Sequence, residues 1–346
     1  MNNTALEICP SILHYHNAVH ISYIVWRSCG LLCIIFGIPG HLFSIIILSN
    51  KNNRKEPTSL YFLAIACCEL IFLLGISWLW FVGMSIIKTD PRQILSCGLF
   101  YSILIGSTIL SNLYLASMSI DRNFIILYPT RYRLIITRQH VLKRIVLIFL
   151  ITILFMIPHH FYYYYNKNTT LFICEFHKFI DRWKIHIWPF IHAILFVSIP
   201  SIITCISSIM LLHNRRKHRR LTKNILGEKA RRIERNSILI VFISLALAFT
   251  TLPIVILQIF IVHDRLFNHE IYCLTRWKTY KILLNWFLTL ASFSYSCKFY
   301  IRLTISRTFR KEFLQLLNCI FRRKDKINEQ HLMALNKQNK VRTTSI

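Results

Sequence analysis

Seven long apolar runs, near residues 28–49, 59–87, 98–120, 145–165, 185–213, 236–262 and 279–301, leave this 346-residue chain few folds to choose from. A bilayer core about 30 Å thick is crossed by roughly 20 residues of helix, and each run meets or approaches that length. Inside lipid the backbone polar groups must be satisfied within the protein, which favours helices over the weakly alternating strands of a membrane barrel. Only Glu69 interrupts the second run, and the first, third, fourth, fifth and sixth hold no Asp, Glu, Lys or Arg. The seventh is the weakest, uncharged only from Ile282 to Cys297 between Lys281 and Lys298. Charged residues make up 16% of the chain, against roughly 25% in soluble domains. The fold class expected is an all-α membrane protein: a seven-transmembrane helix bundle with a short amphipathic eighth helix.

A net charge of +28 would suggest a nucleic-acid partner in a soluble protein, but here its location decides. Lys and Arg are absent from 1–21, whereas 3 fall in 50–58, 5 in 129–144, 10 in 213–236 and 11 in 302–346. The alternate loops 88–96, 160–185 and 263–278 together hold 9. The positive-inside rule therefore places the N-terminus outside and the C-terminus in the cytosol of a multi-pass membrane protein. The basic face is then a cytosolic surface for membrane lipid and protein partners, and no soluble segment is long enough to fold a nucleic-acid-binding domain. Residues 1–21 lack the basic start of a cleavable signal, so the first run is expected to act as its own insertion signal.

Four segments follow: an extracellular tail 1–21, the helical domain 22–305, an amphipathic membrane-surface helix 306–321 and a polar, disordered cytoplasmic tail 322–346. In the third segment Phe309, Phe313, Leu316, Leu317 and Ile320 recur at helical spacing, with Arg310 and Lys311 on the other side. Cys319 near its end is a palmitoylation candidate. Sequons at Asn2 and Asn168 lie on the sides that the charge rule makes extracellular. Most of the 11 cysteines sit within the apolar runs as small packing residues. Cys97 and Cys174 are at the outer, oxidising face and are predicted to pair; closing a loop of roughly 80 residues should stabilise by about 4 kcal/mol in the chain-entropy model. Cys9 and Cys273 are a possible second outer bridge. The ending Thr344-Ser345-Ile346 matches a PDZ-domain ligand.

Cys97 opens the third run, Asp121 and Arg122 follow 24 and 25 residues later, and Pro129 stands seven beyond the Arg. Pro158, Pro200 and Pro253 fall in the fourth, fifth and sixth runs. With Ile65-Ala66-Cys67-Cys68-Glu69 in the second run, these motifs resemble those of rhodopsin-like (class A) G-protein-coupled receptors, and among them invertebrate peptide receptors, over roughly 22–321. The resemblance implies a receptor that transduces an extracellular ligand, a neuropeptide, to a heterotrimeric G protein. In that family the triplet matching Asp121-Arg122-Asn123 is a two-state switch: the carboxylate locks the Arg at rest, and opening of helix 6, hinged at Pro253, frees it. The same comparison sets His41, Glu69, Ser111 and Lys298 around a site that holds sodium in the family. Lys298 is expected to act as a built-in cation opposite Glu69, unless it snorkels to the cytosol with Tyr300 rather than Arg302 at the family's helix 7 Tyr position. Thr250-Thr251-Leu252-Pro253 lacks the family's helix 6 Trp, and Ser208 stands where a helix 5 Tyr is expected, so two members of the family's usual relay are absent from this chain.

Leu104 stands where amine receptors carry an Asp, and Ser292 where opsins carry the retinal Lys, so neither ligand class fits. An aromatic outer mouth remains, with Glu175, Trp183 and Trp188 as ligand-pocket candidates, although such aromatics also form the ordinary interfacial belt. Sparse intramembrane charge argues against a transporter. No catalytic triad, nucleotide loop or metal-spaced cluster is present, and His159 and His160, being adjacent, cannot share one helix face. No enzyme activity, cofactor or metal is expected. The alternative to a signalling receptor is a non-signalling seven-helix decoy or scaffold.

Overall fold

The computed structural model describes residues 12–50, 53, 56–128, 135–165, 174–176, 191, 193–221, eleven helical positions between 241 and 260, and 274–319. Helix α1 runs through Ile12–Leu32, a π-helical stretch Cys33–Gly37 and Ile38–Ser49; α2 is Pro57–Gly83, α3 Cys97–Leu127 and α4 Arg138–Tyr162. Helix α5 begins as the π-helical Ala193–Ser198 and continues as Ile199–Leu221. Helix α6 comprises the helical positions between 241 and 260, α7 is Leu274–Ile305, and α8 covers 307–319. Among the described residues four stretches are long and apolar enough by composition alone to cross a membrane: Tyr23–Ser49, Pro57–Gly83, Cys97–Ile125 and Arg138–Pro158. The remaining crossings of the seven-helix bundle are α5, α6 and α7.

Two features depart from the expected outline. Helix α1 reaches back to Ile12, inside the stretch read as an outer tail, because nothing between Ile12 and Arg27 breaks a helix while Pro10 stands just before it. The loop after α4, at the end of the bundle that the charge distribution assigns to the outside, also contains a two-stranded antiparallel sheet, β1 Tyr163–Tyr165 with β2 Cys174–Phe176, pairing Tyr164 with Glu175. Three successive tyrosines favour a pleated, half-buried strand over a further helical turn. Both π-helical stretches end two residues before a proline, Pro39 and Pro200. Proline removes a backbone donor and crowds the carbonyl four residues back, and a widened turn relieves that crowding.

Helix α3 is the centre of the bundle. Two thirds of its apolar window (67%) is buried against only 17% of that of α4, whose remaining apolar surface is left exposed by the bundle, as a lipid-facing helix requires. It packs on α2, α4 and α5, while α1 packs on α2 and α7. Among the described residues the most deeply buried large apolar side chains are Tyr61, Leu73, Ile109, Leu115 and Met118 of α2 and α3, with Val141 of α4. At the outer end, a Cβ on Gly98 would collide with the carbonyl oxygen of His160, so glycine lets the start of α3 meet the end of α4. The inner end of α7 turns at Ser306 into α8, whose Phe309, Phe313 and Leu316 pack with Ile47, Phe43 and Phe299, leaving Arg310 and Lys311 exposed.

Candidate functional site

The residues of the expected intramembrane polar cluster meet in the middle of the bundle. Glu69 of α2, 2% exposed, receives the ammonium of Lys298 from α7 and the hydroxyl of Ser111 from α3 (2.5 Å) on the same oxygen, Oε1. Its second oxygen, Oε2, has no hydrogen-bond donor among the described residues and lies 3.8 Å from His41 Nε2 of α1. That ring nitrogen is also 3.2 Å from the Tyr295 carbonyl oxygen of α7. Lys298 is 5% exposed and its Nζ stands 4.8 Å from the Tyr295 ring centre, so it points into the bundle and does not reach for the cytosol. The helix 7 register follows from the same face. Arg302, one turn on, is buried, whereas Tyr300 is 37% exposed and donates to the Phe36 carbonyl of α1 (3.2 Å). Arg302 therefore occupies the inward position.

At the inner mouth the Asp121-Arg122-Asn123 triplet is buried, but its pairing differs from the expected lock. The carboxylate of Asp121 accepts from Arg144 of α4 and from the Tyr61 hydroxyl of α2 (3.0 Å). Arg122 instead donates to the Thr58 hydroxyl of α2, the charges of Glu56 and Asp121 also act on it, and its Nε is buried without an acceptor among the described residues. The reason is geometric: successive helix residues point about 100° apart, and α4 brings Arg144 beside Asp121. The Oδ1 of Asn123 is likewise buried without a donor among the described residues. One turn from Thr58 on α2, Phe62 carries the Arg302 guanidinium 3.9 Å from its ring centre, with the Phe309 ring 5.5 Å away on α8. Sequence reasoning missed Tyr61, Thr58 and Arg144; the only signal for Arg144 was its place at the inner end of a span, opposite an acidic residue at the end of the preceding one.

At the outer face Cys97 and Cys174 form a disulfide with Cα atoms 5.8 Å apart, tying β2 to the top of α3. Before it, Asp90 caps the single turn Pro91–Ile94, accepting from the Arg92 amide at 2.8 Å and gripping the Arg92 guanidinium at 2.6–3.1 Å. Burial pushes the Asp90 carboxyl up, but the Arg92 hydrogen bonds and charge outweigh it and hold the group below its ordinary value of 3.8. Glu175 lies on β2 opposite Tyr164. Pro253 is a helical, half-buried residue of α6, and Cys319 is exposed at the end of α8. Asn2, Cys9, Asn168, Trp183, Trp188, Cys273 and the Thr344-Ser345-Ile346 ending lie outside the described residues.

The model of the rhodopsin-family 7 transmembrane receptors matches residues 41–305, about three quarters of the chain and the whole of the polar cluster and inner mouth. The chain belongs to the rhodopsin family of seven-transmembrane receptors. Among curated relatives, it is 28% identical over 195 residues to proteinase-activated receptor 1 of Xenopus laevis, covering 52% of this chain and 44% of that protein. It is 22% identical over 225 residues to a chain of Caenorhabditis elegans named as a probable G-protein coupled receptor, covering 61% and 50%. Neuromedin-U receptor 1 of Rattus norvegicus is 24% identical over 136 residues, covering 37% and 30%. The receptor thus spans half or less of the length of these relatives. As a member of this family it is a multi-pass plasma-membrane protein of a family of receptors rather than enzymes.

Proposed function

We propose that this receptor answers an extracellular peptide of the neuropeptide kind and passes the signal to a heterotrimeric G protein by opening α6 about Pro253 and releasing Arg122. The observation that carries the reading is the state of Arg122: 7% exposed, at the inner end of the central helix, donating to the neutral hydroxyl of Thr58, with its neighbouring carboxylate engaged by Arg144 and Tyr61. A guanidinium that is hydrogen-bonded to a hydroxyl, with Glu56 and Asp121 adding the pull of their charges, is released at less cost than one in a charge-assisted hydrogen-bonded pair with its neighbouring carboxylate. Relatives that are peptide receptors support the ligand class, and the outer hairpin pinned over α3 by Cys97–Cys174 supports an outward-facing binding mouth. The basic loops support a cytosolic face at the opposite end.

The test is G-protein recruitment in cells exposed to a library of neuropeptides, with the native receptor beside Arg122→Ala. A peptide response that Arg122→Ala abolishes, with surface expression unchanged, is expected. Expression at the surface with no response to any peptide would instead favour a non-signalling decoy.

A further inference from the structure

A carboxylate deep in the hydrocarbon region needs a counter-charge, because an unpaired buried ion costs several kcal/mol. Glu69 has one, but it arrives on a side chain of the same chain. Both Lys298 Nζ and Ser111 Oγ converge on Oε1, while Oε2 has no donor among the described residues and faces His41. Beside them is a cleft lined in part by His41, Ser44, Glu69, Lys298 and Arg302. Among its described residues Lys298 and Arg302 supply two fixed cations against the single carboxylate of Glu69. Its oxygen-bearing side chains, Glu69 and Ser44 with Ser111 adjoining, are those a small hard cation would accept, yet the fixed charges leave no net negative potential to attract one.

We propose that the Lys298 ammonium is the resident counter-ion of Glu69, filling the place that a dissolved monovalent cation would otherwise take, so that the core of this receptor is indifferent to sodium. A tethered ammonium has no dissociation into the medium, only a local swing of its side chain, and its effective concentration at Glu69 is set by the covalent chain. The pair also joins α2 to α7, with Ser111 adding α3, so three helices are held together whatever the ionic composition outside the cell. Removing the ammonium while keeping the carboxylate converts the same cleft into a sodium site: Oε1 keeps only the Ser111 hydroxyl, Oε2 has no donor among the described residues, and the cation that remains, Arg302, is held over the Phe62 ring and not on the carboxylate, so the Glu69 charge is no longer neutralised at contact.

The experiment reads thermal unfolding of the purified full chain in lipid nanodiscs, with sodium chloride or choline chloride at equal ionic strength. It makes no use of ligand or G protein, so its failure is distinct from failure of the signalling proposal. The native receptor should show the same Tm in both salts. Lys298→Met should unfold several degrees lower in choline and regain stability with sodium along a saturable curve, as a ligand that binds only the folded state requires. Glu69→Gln combined with Lys298→Met should lose that sodium response. Sodium stabilisation of the native receptor that persists unchanged in Lys298→Met would overturn the proposal, as would a Lys298→Met protein that ignores sodium. If Lys298→Met yields no folded protein in choline, recovery in sodium or in the double variant supports the pairing, and failure of the double variant alongside the single one overturns it.

Discussion

Asp121 and Arg122 are neighbours in sequence, yet each finds its partner on another helix, and this separation is the residue-scale feature with the most consequence for signalling. Arg144 is the group that makes it possible, since it occupies the carboxylate that would otherwise turn to Arg122. Arg144→Ala should return Asp121 to Arg122, add a charge-assisted bond to the resting state and lower basal G-protein coupling, measured by recruitment without ligand. Unchanged or raised basal coupling would show that Arg144 does not hold the carboxylate away. The Asp90–Arg92 pair at the outer face gives a pH prediction. The Asp90 carboxyl is held below 3.8, so its stabilising effect is present above that pH and is lost as pH falls through the lowered folded value. Acid unfolding of the native receptor below pH 3.8 should therefore be steeper than that of Asp90→Asn, followed by Tm in an acid series.

Each helix of the bundle was visible in the sequence as an apolar run, but its ends were not. Apolar runs mark where lipid is, whereas helix ends are set by breakers and caps, which is why α1 extends back to Ile12 and α3 runs on to Leu127. The hairpin was missed because an aromatic cluster at a membrane edge reads equally well as an interfacial belt. The amphipathic α8 was readable, since Phe309, Phe313 and Leu316 do share a buried face. Phe309 is 5% exposed and touches the Phe299 ring edge-on at 5.7 Å, and truncating a buried Phe costs roughly 3 kcal/mol. Phe309→Ala should therefore lower Tm and speed hydrogen exchange through α8 more than through α3. Gly98→Ala should act at the opposite end, because its methyl meets backbone and not a movable side chain. The start of α3 must shift, and the Cys97–Cys174 bond should be reduced at a lower thiol concentration than in the native receptor.

On the scale of the whole molecule, the polar cluster was readable and the inner mouth was only half so. Glu69, Ser111 and Lys298 occupy positions that a family spacing assigns, and opposite charges in hydrocarbon have little choice but to meet. Tyr61, Thr58 and Arg144 have no such spacing, and which helix lies beside which is a property of packing that periodicity does not carry. The orientation we propose rests on charge alone: 10 Lys and Arg in 213–236 and 11 in 302–346, against none in 1–21. The inner loops resist translocation because each basic side chain is drawn to the anionic cytosolic leaflet and opposed by the membrane potential. An epitope placed before residue 1 should be stained on intact cells, and one placed after Ile346 only once the cells are permeabilised. Staining of both ends on intact cells would reverse the assignment of Arg122 to the cytosol and, with it, the route to a G protein. Moving the basic cluster of 213–236 to neutral residues should then produce a mixed population, with a fraction of C-terminal epitopes appearing outside in proportion to the charge removed.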